Sequence, residues 1–430
     1  MKKVIAGILC VTMMLGGLGC GIGTDPQIQS QNLMLGLEEN RDEVGGNGVI
    51  PDNPSDGDQM DDLYAEIAAT HPITTFGLNL FQNAASDENV LLSPLSVLLA
   101  MYMTANGAAG DTKIQMADVL GKDLNAYLQA YQTGLPQGDG YKLHIANGIW
   151  FRDVETLEVK KEFLELNQKF FNAGIYKAPF NDITCREINN WVKENTDGMI
   201  DGVLDEIDAS AVLYLINALS FDAKWQTPYN KNNVFDNAVF VKEDGTQQKV
   251  TMMYSEESTY LEDERATGFV KYYQGKKYAF VALLPKEGIT VSEYVAGLDT
   301  QSFHAMLNNA KNTVVNTGLP KFKTEYSILL NDVLQQMGMT KAFDSSEADL
   351  SAMATSEDGN LYINRVLHKT FISVDELGTK AGAVTAVEVN CERAVMESYS
   401  VILDRPFVYM LIDCETNQPF FIGTMMDVEK

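Results

Sequence analysis

The chain has 430 residues, 45% of them hydrophobic, with 59 acidic against 32 basic side chains and a formal charge of −27. That balance leaves no basic footprint to neutralise phosphates, so nucleic acid is excluded as a partner. The length permits a large core and by itself suggests two domains, while five cysteines without C-x-x-C spacing offer neither a disulfide framework nor a metal site.

Residues 1–19 read as a targeting segment. Lys2 and Lys3 precede an apolar run from Val4 to Leu18 that is too short to span a bilayer and has signal-peptide character. The run ends LGGLGC, which resembles a bacterial lipoprotein cleavage box with Cys20 as the lipidated residue, although Gly17 stands where the box usually has Leu. Ordinary cleavage and an uncleaved anchor are the alternatives. The expectation is an extracellular or cell-surface protein that meets the membrane only through Cys20.

Residues 20–62 read as a disordered acidic tether, with ten acids against one Arg and no periodicity. Within it, DNPSDGDQMDDL imitates a calcium loop. Pro54 occupies a ligand position and Leu63 replaces the final Glu, so no metal is expected.

From residue 63 to 430 the chain reads as one α+β unit. In SPLSVLLAMYMTANGA, Ser93 caps a helix, Pro94 takes its first turn and Gly107 ends it. The helix is apolar on nearly all sides, which predicts burial. VLYLINALSF (212–221), YAFVALLP (278–285), FVYMLID (407–413) and FFIGTMM (420–426) read as buried strands. Their irregular order relative to helices argues against a repeating βαβ scheme.

Catalytic signatures are missing. No G-x-S-x-G, H-E-x-x-H or G-x-G-x-x-G occurs, and only four histidines exist: His71, His144, His304 and His368. An enzyme is the weaker hypothesis, and no cofactor is expected.

The segment GTKAGAVTAVEVNCERAV (378–395) alternates like a strand but is filled with small residues. One face reads Thr379, Ala381, Ala383, Thr385, Val387, Val389. The other holds Lys380, Gly382, Val384, Ala386, Glu388, Asn390. A face this small and uncharged can enter the core of an existing sheet, while the charges stay on the wet side.

From about Leu63 onward the chain resembles the serpin family of serine protease inhibitors. The resemblance rests on NVLLSPLSVLLAMYMTANGAAGDT (89–112), ANGIWF (146–151), INNWVKENTDGMI (188–200) and LINALSFDAKW (215–225). GLPKF (318–322), MGMTKAFDSSEADLS (337–351), HKTFISVDELGTKAGAVTAV (368–387) and DRPFVYMLID (404–413) continue it in order. It implies a single α+β domain of three β-sheets and a helical layer, in place of two domains. It also implies a monomer without a cofactor, and an exposed reactive-centre loop over about 376–403. In this family the loop is bait: after cleavage it inserts into the central sheet and traps the protease as an acyl-enzyme.

The resemblance assigns a hinge of Glu376, Gly378, Thr379, Ala381, Ala383 and Thr385. It also assigns a polar cluster of Ser93, Ser96, Asn217 and His368 beneath the parting strands, and Trp225 where the loop first enters. Lys380 and Leu377 replace the family's usual acids, and Gly382 interrupts its alanine-rich run. Before cleavage Thr379 is expected at the sheet surface.

The family's spacing, counted from Gly378, implies a scissile bond at Glu392–Arg393. Counting back from DRPF lands near Val395, which leaves Cys391, Ala394, Val395 and Met396 as fallbacks. The expected partners are serine proteases of elastase-like, trypsin-like or Glu-selective type. A non-inhibitory binding protein on the same fold is the alternative.

Overall fold

A computed structural model describes residues 29–34, 65–208, 211–379 and 398–428. Its central sheet has seven strands in the order β1 (Gln31–Asn32), β5 (Gly174–Ala178), β3 (Tyr141–Arg152), β6 (Leu213–Lys224), β15 (Gly378–Thr379), β14 (Leu367–Val374) and β12 (Phe322–Leu329). A nine-stranded sheet follows the order β16 (Ser398–Ile402), β11 (Lys311–Pro320), β8 (Gln247–Glu262), β9 (Ala266–Tyr272), β10 (Tyr278–Pro285), β17 (Phe407–Asp413), β18 (Pro419–Met425) and β2 (Val90–Leu92). Strand β7 (Val234–Val241) also pairs with β8, and β13 (Ala354–Ser356) with β4 (Leu157–Val159) forms a short ribbon.

The helices that matter for the site are α1 (Pro72–Ala84), α2 (Pro94–Ala105), α3 (Gly110–Leu120), α4 (Asn125–Gly134), α5 (Lys161–Phe171) and α6 (Asp182–Asn195). Helix α2 begins where Ser93 Oγ accepts from Ser96 N–H at 3.3 Å, and Pro94 sits at N1. It is buried along its length, so it forms the middle of the core beneath the central sheet. It stops at Ala105, two residues short of Gly107, with Asn106 as its C-cap. Strands β10 and β17 are buried on both faces, which explains their continuous apolar runs.

Helix α6 starts at the Asn181 cap, whose Oδ1 accepts from Ile183 N–H at 2.9 Å and Thr184 N–H at 3.1 Å. Its apolar stripe of Cys185, Ile188 and Val192 shares a core cluster with Trp150 of β3 and Tyr214 and Ile216 of β6, against which Leu367 and Phe371 of β14 pack. The helix therefore lies against β3, and the cluster it shares reaches the strands on each side of the seam between β6 and β14.

One segment differs from the sequence reading. Residues 29–34 fall within the expected tether, yet Gln31 and Asn32 pair with Lys177 and Tyr176 of β5. Leu33 N–H donates to Ile175 O at 2.7 Å, and Met34 is buried. Gln29 N–H (2.5 Å), Ser30 N–H (3.1 Å) and the Ser30 hydroxyl all donate to the Glu187 carboxylate on α6. The physical reason is the open edge of β5, whose main-chain groups accept a strand whatever its side chains are. The targeting segment 1–19, Cys20 and the remainder of the tether lie outside the described residues. Among the described residues no helix is long and apolar enough to cross a membrane.

Candidate functional site

The site is the seam between β6 and β14. Among the described residues these two strands share no ladder of their own; the two-residue strand β15 sits between them. Gly378 pairs with Lys224 and Thr379 with Ala223 on β6, while Thr379 also pairs with Val374 on β14. The chain makes a tight turn into this slot: Asp375 Oδ1 accepts from Leu377 N–H at 2.8 Å and Gly378 N–H at 3.2 Å. Gly378 is required by contact, because a Cβ there would lie 2.0 Å from Ala223 O.

Thr379 corrects the sequence reading. It is 2% exposed, and its hydroxyl bonds Tyr273 OH at 2.6 Å, so it already lies inside the sheet and faces the core. The alternation gave its facing correctly but not its depth. Replacing it would disturb the intact protein as well as any later insertion, so the informative inward positions lie further along.

The turn after β6 caps this hinge. Trp225 N–H donates to Leu377 O at 2.9 Å, its indole N–H to Asp375 O at 2.8 Å, and Tyr229 N–H to Glu376 O at 2.9 Å. Trp225 stacks on Tyr273 with ring centres 4.5 Å apart. The Glu376 carboxylate pairs with Lys321 at 2.9 Å on the rim.

Beneath the middle of the seam, the start of α2 reaches both strands. The Ser96 hydroxyl donates to Asn217 Oδ1 on β6, and Ser93 N–H donates to His368 Nε2 on β14 at 3.0 Å. Asn217 in turn donates to Asn147 Oδ1 on β3, and Asn147 Nδ2 donates to Phe171 O at 3.1 Å. Ser93, Ser96, Asn217 and His368 are thus one hydrogen-bonded chain that touches each side of the seam. Burial pushes the His368 pKa down to about 4, so at neutral pH its ring is neutral and Nε2 is free to accept.

Asn147 joins this chain although the sequence reading did not single it out. Its signal was the same as that of Asn217, an amide inside a predicted strand. Tyr273 and Lys321 were also missed, because their contacts with the hinge span more than 50 residues.

Ala381, Ala383 and Thr385 of the hinge, together with Cys391, Glu392, Arg393, Ala394, Val395 and Met396 around the bait bond, lie outside the described residues. The expected loop limits of 376 and 403 shift, because residues 378–379 and 398–402 are already strands. No group of three or more His, Cys, Asp or Glu able to hold a metal occurs among the described residues. Chemically, the arrangement is a slot with its first two rungs occupied and a polar fastening under its midpoint.

The family model described as serpin (serine protease inhibitor) matches residues 71–428. A serpin-like protein of Thermococcus kodakarensis is 31% identical over 375 residues, covering 84% of this chain and 86% of its own. The crystal structure of a thermophilic serpin, tengpin, in the native state is 45% identical, covers 93% of this chain and 100% of its own, and superposes with a TM-score of 0.82. Human thyroxine-binding globulin complexed with thyroxine is 24% identical with a TM-score of 0.74, over 83% of this chain and 97% of its own.

Proposed function

The chain belongs to the serpin family, and from that premise we propose that it is an inhibitor that traps serine proteases by inserting its cleaved loop between β6 and β14. The observation that carries this reading is β15. Two residues of the loop's proximal end already occupy the slot, and the seam beyond them has no ladder to break among the described residues. The inward series that would follow Thr379 is Ala381, Ala383, Thr385, Val387 and Val389, all small and uncharged enough to be buried in a sheet. A binding protein on this fold needs no such series.

The bait is the Glu392–Arg393 bond, and the targets are serine proteases of trypsin-like, elastase-like or Glu-selective type. Cys20 serves as a lipid anchor that holds the inhibitor at the cell surface. The sequence LGGLGC supports that role, and Cys20→Ala is expected to release the protein into the medium.

Incubation with one protease of each type, read on a denaturing gel, tests the main proposal. An SDS-resistant conjugate is expected with at least one of them. Nicking the loop between residues 387 and 395 is expected to raise thermal stability, because insertion adds a strand to the sheet. Cleavage by all three proteases without conjugate and without gain in stability refutes inhibition.

A further inference from the structure

Lys271 on β9 is 2% exposed and lies directly behind the turn that caps the hinge. Its Nζ is 4.1 Å from the centre of the Tyr229 ring and 5.4 Å from that of Trp225, and it donates to Thr227 O at 3.3 Å. Glu257 on β8 holds it in place at 2.6 Å. Ser255 Oγ donates to the same Glu257 oxygen at 2.7 Å and bonds Thr317 Oγ1 on β11 at 3.0 Å. A buried cation is thus fixed on one side to the nine-stranded sheet. On its other side it contacts the turn whose Trp225 and Tyr229 bind residues 375–377, touching the ring of Trp225, the carbonyl of Thr227 and the ring of Tyr229.

A buried ion pair is weak support for stability as such, since neutral groups of similar shape are often tolerated. What it supplies here is direction. The ammonium places two aromatic rings and one carbonyl at fixed points; the main chain of those two residues makes two hydrogen bonds to the hinge and the Trp225 indole makes the third.

We propose that Lys271, held by Glu257, is a positioning residue for loop insertion: it fixes the 225–229 turn so that the cleaved loop starts from Thr379 in register. The role rests on the inhibitor reading above. It assigns to this pair the partition between trapping and release. If the turn is loose, the hinge starts insertion late or out of register, water reaches the acyl-enzyme first, and the chain is consumed as a substrate.

The test compares the full chain with Lys271→Met/Glu257→Gln, which removes both charges and strands neither. The double variant is expected to be nicked in the loop at the wild-type rate. Its molar ratio for complete inhibition is expected to rise about fivefold, the loss of one buried cation–aromatic contact. A purely structural role would lower the unfolding midpoint and leave that ratio unchanged, and an unchanged ratio overturns the proposal. Should the double variant not fold, Lys271→Arg keeps the charge but displaces the donor from Thr227. It is expected to raise the ratio to a lesser degree, and a wild-type ratio there overturns the proposal equally. If nicked wild type gains no thermal stability, the inhibitor reading itself falls and this role falls with it; a wild type that gains stability beside variants that match its ratio removes only Lys271.

Discussion

Acid should loosen the fastening under the seam through His368. In the native state its pKa is pushed down to about 4 by burial, against about 6.5 when unfolded. Between those values the unfolded chain binds a proton that the native ring refuses, so stability falls as pH drops through 6.5 and the loss stops growing near 4. From pH 7 to pH 5 the difference amounts to about 2 kcal/mol for this one side chain. The structure gives the reason: Nε2 accepts from Ser93 N–H, and a protonated ring would set two donors against each other. His368→Gln removes the titration while its Oε1 can still accept that bond. Urea unfolding of both proteins at pH 7 and pH 5, read at the first transition, isolates the effect, because His304 and the carboxylates titrate alike in both. With a slope of about 3 kcal/mol/M, the wild-type midpoint should fall by about 0.6 M more than that of the variant. Equal shifts in the two proteins would refute the assignment of His368 as a neutral, buried acceptor.

If the chain inhibits as proposed, Ala383→Arg, on the same face of the sequence alternation as Thr379, should make it a substrate, because insertion would bury an unpaired guanidinium at a cost of several kcal/mol. Lys380→Glu, on the other face, should leave the molar ratio of inhibition near wild type; equal effects of the two would show that the alternation has been misread. Mass spectrometry of the C-terminal peptide freed from a denatured conjugate should find a chain starting at Arg393, and a start outside residues 390–397 would remove the bait assignment. Glu187→Ala takes away the acceptor for Gln29 and Ser30 and should shorten the lifetime of inhibitory activity at elevated temperature severalfold; an unchanged lifetime would mean that β1 adds nothing to the hold on α6.

Much of the fold was legible because it is written locally. The Ser93 cap and Pro94 announce α2, and largely apolar runs announce β6, β10, β17 and β18. Polar residues inside such runs, Asn217 above all, marked the fastening. The family resemblance supplied the seam itself, which no periodicity reveals. Three features escaped for a common reason: each depends on how far one segment has moved against another. Alternation gives the side Thr379 faces, whereas its burial depends on β15 having already passed Ala223. Strand β1 pairs through main-chain groups with residues about 145 positions away, so its side chains carry no trace of the pairing. Lys271 looks like an outward residue of β9 until Glu257 and the aromatic pair are brought around it.

The strand at residues 31–32 also has a place in time. It leaves the ribosome before any other described part of the protein, yet neither β5 nor Glu187 exists until some 150 residues later. It can therefore dock only after both have been made, a fastening added to elements already formed. Folding does not need it first. A fastening added after its anchor points leaves the way they form unconstrained.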